Sequence, residues 1–414
     1  MSWSIVKWSK ISLINLFIVA SIGVVLRYKI AFYLPFINQK HLLHGHSHFA
    51  FSGWISLAIM TMLVEYLKSE DLSNAFKRYQ WILFAHLMTS YGMLIAFPIE
   101  GYGLWSIIFS TLSIFTSYVF AVYYIKDLNR LHKKNSCHLW FKAAVIFNAV
   151  SSIGAFALAI MMITKFLNQS FYLAAEYFYL HFQYNGWFFF GCMGLISYKL
   201  LHFIADHKLR KVFYLFFAAM LPTYFLSALW MDIPYWVYAI VVVASILQVI
   251  ACVYLFKLIK KNNTNFKAAF PFISRWLIIC AGIALSIKVS LQLVSTIPSL
   301  SNLAYGFRPI VIGYLHLVFL CVITLFLLGF MFANNAFEIN KYAIRGAVIF
   351  TIGIIINEIF LMIQGVASLY YITIPLINQS LFFAALIMFF GLYIFVSSQK
   401  IQSEFSHNLY PQTN

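Results

Sequence analysis

The chain has 414 residues, of which 63% are apolar, 19% aromatic and only 9% charged. A soluble domain carries roughly 25% charged residues, so this composition excludes a water-soluble protein and favours one polytopic protein in a lipid bilayer. The formal net charge of +17 would suit a nucleic-acid-binding protein. However, the basic residues are spread between the apolar stretches rather than gathered in one patch, so no nucleic-acid partner is expected.

Twelve apolar windows are long enough to cross a bilayer, because a crossing takes roughly 20 residues. They lie at about 11–33, 43–67, 79–98, 103–125, 139–164, 171–200, 212–231, 233–257, 272–297, 308–333, 342–366 and 372–398. We therefore predict an all-α fold, a single bundle of twelve transmembrane helices over residues 1–398, followed by a polar C-terminal tail at 399–414. We detect no strong internal repeat.

The basic residues predict the orientation of this bundle. If both termini are cytoplasmic, most of the 28 Lys and Arg residues fall in inside segments, as the positive-inside rule requires for an even number of spans. The exceptions are Arg27, Lys29, Lys40, Lys165 and Arg308, which fall outside, and Lys288, which lies mid-span. We predict an integral protein of the bacterial inner (cytoplasmic) membrane.

Three histidines mark the start of the second predicted helix: His44, His46 and His48. An ionisable side chain in lipid is costly and usually functional, and neutral imidazole is a common ligand for metals and heme iron. His44 and His48 share one face of a helix, whereas His46 points elsewhere. The segment therefore predicts a metal or heme site that distant residues complete.

Further intramembrane histidines lie on helices 3, 6 and 10. At a rise of about 1.5 Å per residue, His48 lies roughly 9 Å and His316 roughly 12 Å below the outer ends of their helices, with His181 and His86 deeper at ~15 Å and ~18 Å. We predict that His316 and either His44 or His48 hold one heme iron from both sides. His181 and His86 are candidate ligands of a second metal. The alternative for each is a hydrogen-bonded histidine between helices.

Other polar residues are candidates for supporting roles. Arg308, at the outer end of helix 10, suits either bidentate contacts with heme propionates or a snorkelling arginine at a helix start. Glu176 is a candidate proton carrier or partner of a ligand, or else a solvated interfacial residue. Tyr184 shares a helix face with His181. The candidate catalytic residues are Glu176, Tyr184 and Tyr314.

These features give the chain a resemblance to a known family. The stretches Leu43-His44, Phe49-Ala50-Phe51-Ser52-Gly53, His181 and Gly313-Tyr314-Leu315-His316, set in twelve predicted spans, resemble the catalytic subunit of heme–copper oxidases and nitric-oxide reductases. The resemblance implies a low-spin heme of b or a type between helices 2 and 10, with His316 as one ligand and His44, or its rival His48, as the other. It also implies an electron donor, cytochrome c or quinol, and accessory subunits.

The departures from that family concern the dinuclear centre. Tyr314 stands where the family's ligand to a high-spin heme would be, and 211–231 contains no histidine, so the helix-7 pair is missing. Of the expected copper ligands only His181 remains, unless His86 or Tyr314 substitutes. The resemblance therefore implies an oxidoreductase fold with an incomplete or remodelled centre, in which copper is doubtful and proton-pumping oxygen reduction is not expected.

Two other interpretations stay open. His44-Gly45-His46 and Leu315-His316 are also similar to segments of the heme- and copper-containing membrane proteins of the nitric-oxide stress response. Alternatively, the protein is a twelve-span transporter or a scaffold, with the histidines as a proton relay. The mid-membrane charges of Lys288 and Glu358 would suit a proton route or a structural ion pair.

Overall fold

A computed structural model describes residues 4–70, 72–166, 168–231, 233–300 and 307–399. All regular elements in these ranges are helical, as predicted; the tail beyond residue 399 lies outside them. We number the long helices α1 to α12 in chain order: Ile5–Ala31, Gln39–Ser69, Ala75–Glu100, Leu104–Arg130, Ser136–Ile163, 169–200, 206–228, Tyr235–Lys261, Phe272–Val294, Arg308–Ala333, Lys341–Leu369 and Ile377–Ser398. A short helix, Asn263–Ala269, joins α8 to α9.

Among the described residues, ten of these helices are long and apolar enough to cross a membrane. An eleventh is α7, in which Asp206–Met220 and Pro222–Ala228 meet at a bend of 42°. The remaining helix, α6, is continuous over 169–200 but carries polar residues, among them Gln183 and Asn185, that are buried inside the bundle. The chain is therefore an integral membrane protein by composition and helix length.

Three helices, α2, α6 and α10, form the centre of the bundle, and the others surround them. We call the end at which these three helices begin the upper end. Their lower segments, Leu57–Ser69, Phe189–Leu200 and Leu325–Ala333, are almost entirely buried and pack on one another. By contrast, the outer helices expose many large apolar side chains, such as Ile153 and Phe383, which suits contact with lipid.

Each central helix contains a π-helical segment at a corresponding place. The three segments are Ala50–Ser56, Phe182–Phe188 and Leu317–Thr324. A π-helical turn inserts a residue into the i→i−4 hydrogen-bond ladder and is common at functional sites. A histidine lies one or two residues before each segment: His48, His181 and His316. A histidine followed by a π-helical segment therefore recurs in every fourth helix, in α2, α6 and α10.

The sequences of these segments also correspond. His48-Phe49-Ala50-Phe51-Ser52-Gly53-Trp54 and His181-Phe182-Gln183-Tyr184-Asn185-Gly186-Trp187 share His, Phe, an aromatic residue, Gly and Trp at the same spacing. The third segment keeps only the histidine, His316, and the aromatic residue three positions later, Phe319. The expectation of no strong internal repeat was therefore wrong. Two copies match clearly, and the third has diverged.

Hydrogen bonds link the segments in a rotational pattern. Trp54 donates to the hydroxyl of Thr324 at 2.9 Å, and Trp187 donates to the hydroxyl of Ser56 at 3.0 Å. In both cases the tryptophan lies six residues after the repeat histidine and its acceptor lies eight residues after the histidine of another repeat. The third equivalent pair would be Val322 and Phe189, which cannot form such a bond. Two of the three equivalent contacts between the central helices are therefore made.

Candidate cofactor site

The upper halves of the central helices are more accessible than the lower halves. No residue of Arg308–His316 is buried, and in Gln39–Phe49 only Gly45 and Phe49 are. The upper half of α10 packs chiefly on α11, whereas the upper half of α2 packs chiefly on α3. The lower halves of α2 and α10 pack on each other, whereas each upper half packs chiefly on a different neighbour.

One polar cluster lies on the side of α2 that packs against α1. His46 packs against α1, where its Cε1 atom is 3.5 Å from the position of a β-carbon built on Gly23, and it bonds to the Val19 carbonyl. His46 and Arg27 lie within electrostatic range of each other and of His316. Arg27 also interacts with Glu358 of α11. The cluster therefore joins α1, α2, α10 and α11.

The two imidazoles of this cluster have the donor chemistry that a heme iron needs. The Nδ1 atom of His316 lies 2.8 Å from the Ile312 carbonyl. A carbonyl can only accept, so Nδ1 donates and the Nε2 lone pair stays available, which is the usual arrangement of a metal-ligating histidine. In His46, Nδ1 is buried without a hydrogen-bond partner, so Nε2 is the nitrogen that donates to the Val19 carbonyl. An orphaned buried nitrogen is costly unless something else satisfies it, so Nδ1 is the lone pair that His46 offers to an iron.

His44 and His48 lie on the other face of α2. His48 stacks on Phe97 of α3 with ring centroids 4.3 Å apart, and its Nε2 atom is 3.4 Å from the hydroxyl of Tyr102. His44 meets the ring of Tyr102 edge-on at 4.7 Å. Tyr102 lies in the loop between α3 and α4. Partial burial of its ring, then the neighbouring Tyr172 and the negative charge of Glu176, raise its pKa to about 12. The phenol is therefore neutral at physiological pH and can donate to His48.

The structure thus brings His46, rather than His44 or His48, to the side of His316. The sequence prediction rested on the one-turn spacing of His44 and His48, which does place them together. It could not say which face of α2 meets α10. That choice depends on the position of α1 and α10 in the bundle, which only the assembled fold specifies.

His181 is buried and has both ring nitrogens engaged. Nε2 lies 2.9 Å from the Met220 carbonyl and therefore donates to it, and Nδ1 accepts from the amide of Asn185 at 3.2 Å. The candidate catalytic tyrosines, Tyr184 and Tyr314, do come together, because their rings lie 6.3 Å apart and their hydroxyls interact. In this arrangement His181 has no free lone pair for a metal.

The remaining candidates are dispersed. His86 bonds through Nε2 to the Ser52 carbonyl of α2 at 3.0 Å, so it supports the first π-helical segment and lies away from His181. Arg308 is exposed at the start of α10, and Glu176 is exposed on α6 near Tyr102. In the described ranges, no group of three or more His, Cys, Asp or Glu side chains is arranged to hold a metal ion.

Sequence reasoning missed the contribution of Arg27 and offered an ion pair between the two mid-membrane charges as one alternative. Arg27 was assigned to an outside segment, but it lies inside α1 and faces the cluster. Lys288 and Glu358 do not pair: Lys288 donates to Gln292 at 2.9 Å, whereas Glu358 interacts with Arg27. The signal that could have found the cluster is the presence of opposite charges within two apolar helices.

Comparison with known proteins gives no family for this chain. No protein-family model matches it, and no curated protein is significantly similar to it.

Proposed function

We propose that this chain is a heme-binding redox protein of the membrane, in which His46 of α2 and His316 of α10 hold the heme. The observation that carries the proposal is the cluster in which two imidazoles, from α2 and α10, lie within electrostatic range of each other and of the same arginine. Each ring has one nitrogen free to bind iron. In His316 the Ile312 carbonyl engages Nδ1 and leaves Nε2, and in His46 Nδ1 has no hydrogen-bond partner. A heme ligated by two imidazoles supplies one-electron transfer.

The charged residues of the cluster have complementary tasks. Arg27 offers a cation beside the two histidines, and a guanidinium suits the carboxylates that a heme carries. Glu358 of α11 lies within electrostatic range of Arg27, and an opposite charge nearby lowers the cost of keeping an arginine charged inside the membrane. The exposed Arg308 is a less suitable partner, because solvent already satisfies its charge.

The wider setting follows from the sequence. All twelve helices cross the bacterial inner membrane with both termini cytoplasmic, an arrangement supported by the distribution of the 28 Lys and Arg residues. The upper end then faces outward. Electrons come from quinol or a cytochrome c, because the chain has no CxxCH motif of its own. Resemblance to the heme–copper oxidases and nitric-oxide reductases supports this role. The proposed role is heme binding and electron transfer.

The test is an optical spectrum of the purified full-length protein from heme-replete cells. The wild type is expected to show a reduced-minus-oxidised difference spectrum of low-spin b- or a-type heme. His46→Ala and His316→Ala should lose it or become high-spin. His44→Ala and His48→Ala should keep it, as should His41→Ala, a matched control in the same helix. A colourless wild type contradicts the proposal. If only His44→Ala or His48→Ala loses the heme spectrum, the ligand lies on the opposite face of α2 and the assignment of His46 is wrong.

A further inference from the structure

A small polar cavity lies beside His181, apart from the proposed heme cluster. Its volume is about 10 Å³, enough for one water molecule. Its walls are apolar except for three side chains, Asn185 of α6, Gln248 of α8 and Lys288 of α9. All three are almost fully buried, with exposures of 3%, 5% and 4%. The cavity therefore places a lysine and two amides together inside the membrane region.

The hydrogen bonds around Asn185 fix the direction of its amide. His181 Nε2 must donate to the Met220 carbonyl, so His181 Nδ1 must accept, and only the NH₂ group of Asn185 can donate to it. The Asn185 oxygen then has no protein partner. It is a buried acceptor on a residue that lines the cavity.

Gln248 is oriented by the same logic. The hydroxyl of Thr223 donates to the Ala219 carbonyl at 2.8 Å, so it accepts from the NH₂ group of Gln248 at 3.3 Å. The Gln248 oxygen is then a second buried acceptor without a partner. Leaving two such oxygens unsatisfied would cost the full desolvation penalty of each.

Lys288 supplies the missing donor but does not reach either oxygen directly. Of its three N–H groups, one donates to Gln292 Oε1 at 2.9 Å, and the ammonium lies 5.7 Å from the centre of the Phe189 ring. The N–H groups that do not bond to Gln292 therefore remain for the cavity. A water has two hydrogens to donate and a lone pair to accept with, which matches two carbonyl oxygens and one ammonium.

We infer that the cavity holds one ordered water that accepts from Lys288 and donates to Asn185 and Gln248, and that this clasp takes the place of a metal ion beside His181. The Asn185 amide, anchored by this water, occupies the His181 lone pair that a metal would need. The clasp also ties α6, α8 and α9 together around the break in α7. This inference does not depend on heme binding at His46 and His316.

The first test is a structure of the full chain in lipid nanodiscs at a resolution that shows ordered water. The wild type should show one water-sized peak within hydrogen-bond distance of Lys288 Nζ, Asn185 Oδ1 and Gln248 Oε1. The peak should disappear in Lys288→Met and persist in Gln292→Met, which removes only the direct partner of the lysine. An empty cavity in the wild type, or a larger ion there, overturns the inference.

Two further measurements keep the inference testable if Lys288→Met does not fold. Gln248→Met removes one acceptor with little change in volume and should also lose the peak. Metal analysis should find equal copper and zinc contents in the wild type and in His181→Ala. Copper or zinc that binds the wild type and is lost in His181→Ala would show that a metal, and not the water clasp, completes this pocket.

Discussion

Arg27 of α1 and Glu358 of α11 are opposite charges on two helices that flank the same pair of histidines. A charge in lipid is tolerated when it faces the protein interior and has a partner. Removing one member of such a pair leaves the other without compensation, which costs more than removing both. The stability of this region should therefore depend on the balance of the two charges rather than on either charge alone.

A double-mutant cycle tests this balance. Arg27→Met should lower the thermal unfolding temperature in detergent, since it leaves Glu358 uncompensated. The double variant Arg27→Met, Glu358→Gln should be at least as stable as Arg27→Met alone. If the effects of the two substitutions simply add, the two side chains do not interact energetically.

Tyr102 gives a pH-dependent prediction at the same scale. Burial raises its folded-state pKa to about 12, whereas an unfolded tyrosine ionises near pH 10. The stability that this group contributes is therefore present below about pH 10 and is lost as the pH rises toward 12. Unfolding temperatures recorded between pH 9 and 12 should fall more steeply in the wild type than in Tyr102→Phe. Parallel curves would contradict this role for Tyr102.

At the scale of helices, α11 and α12 pack most closely where glycines meet. A β-carbon built on Gly346 would lie 2.6 Å from the backbone nitrogen of Phe395 and 2.7 Å from the Gly391 carbonyl. Gly391 in turn packs against the Phe350 backbone. Small residues of this kind let membrane helices approach closely, and van der Waals packing is a main source of their association.

Gly346→Ala should therefore separate α11 from α12 and destabilise the protein by about 1–3 kcal/mol, the usual cost of overpacking. Gly282→Ala is the matched control, because its added β-carbon would meet only the ring of Phe256, at 3.3 Å. Thermal or denaturant unfolding in the same detergent compares the two. Equal stability of both variants would contradict the close packing at Gly346.

Helix positions were largely predictable from the sequence, because a run of apolar residues of bilayer length has few other structures available to it. The windows at 79–98 and 342–366 each fall inside a helix, Ala75–Glu100 and Lys341–Leu369. The π-helical segments were not predictable from the apolar pattern alone. Carbonyls there bond to other helices, as Gly53 does to the Asn15 amide at 2.6 Å. These bonds exist only after the helices have packed.

Across the described residues, a histidine followed by a π-helical segment recurs in α2, α6 and α10. The copies are four helices apart, an even number, so they run in the same direction, unlike the inverted repeats found in many secondary transporters. The sequence concealed this organisation, because the third copy keeps His316 and Phe319 but has Val322 where the others have tryptophan. Trp54 and Trp187 make equivalent hydrogen bonds, so the sequence similarity of these two copies corresponds to a shared structural role.

Those bonds give a prediction for the assembly of the units. Trp54→Phe and Trp187→Phe each remove one interhelical hydrogen bond and should each lower stability by about 0.6–1.7 kcal/mol, the range found for such bonds in membranes. Trp140→Phe is the control, because Trp140 is equally buried but its Nε1 has no hydrogen-bond partner. Unfolding in detergent measures all three. An equal effect of Trp140→Phe would show that ring volume, and not the bond, is responsible.

The residues of the candidate site were only partly predictable from the sequence. The sequence singled out histidines in α2 and α10, and the structure places both helices at the centre of the bundle. The choice among His44, His46 and His48 depends on rotation of α2 by less than one turn, and no local pattern specifies that rotation. Arg27 and Glu358 come from distant parts of the chain and are brought together only by the packing of α1 and α11.

The central claim, a heme between His46 and His316, is tested most directly by electron paramagnetic resonance of the oxidised full-length protein. Ligation by two imidazoles predicts a low-spin ferric signal in the wild type and in His48→Ala, and its loss or conversion to a high-spin signal in His46→Ala and His316→Ala. A wild type without heme, or a low-spin signal that survives both His46→Ala and His316→Ala, would contradict the claim.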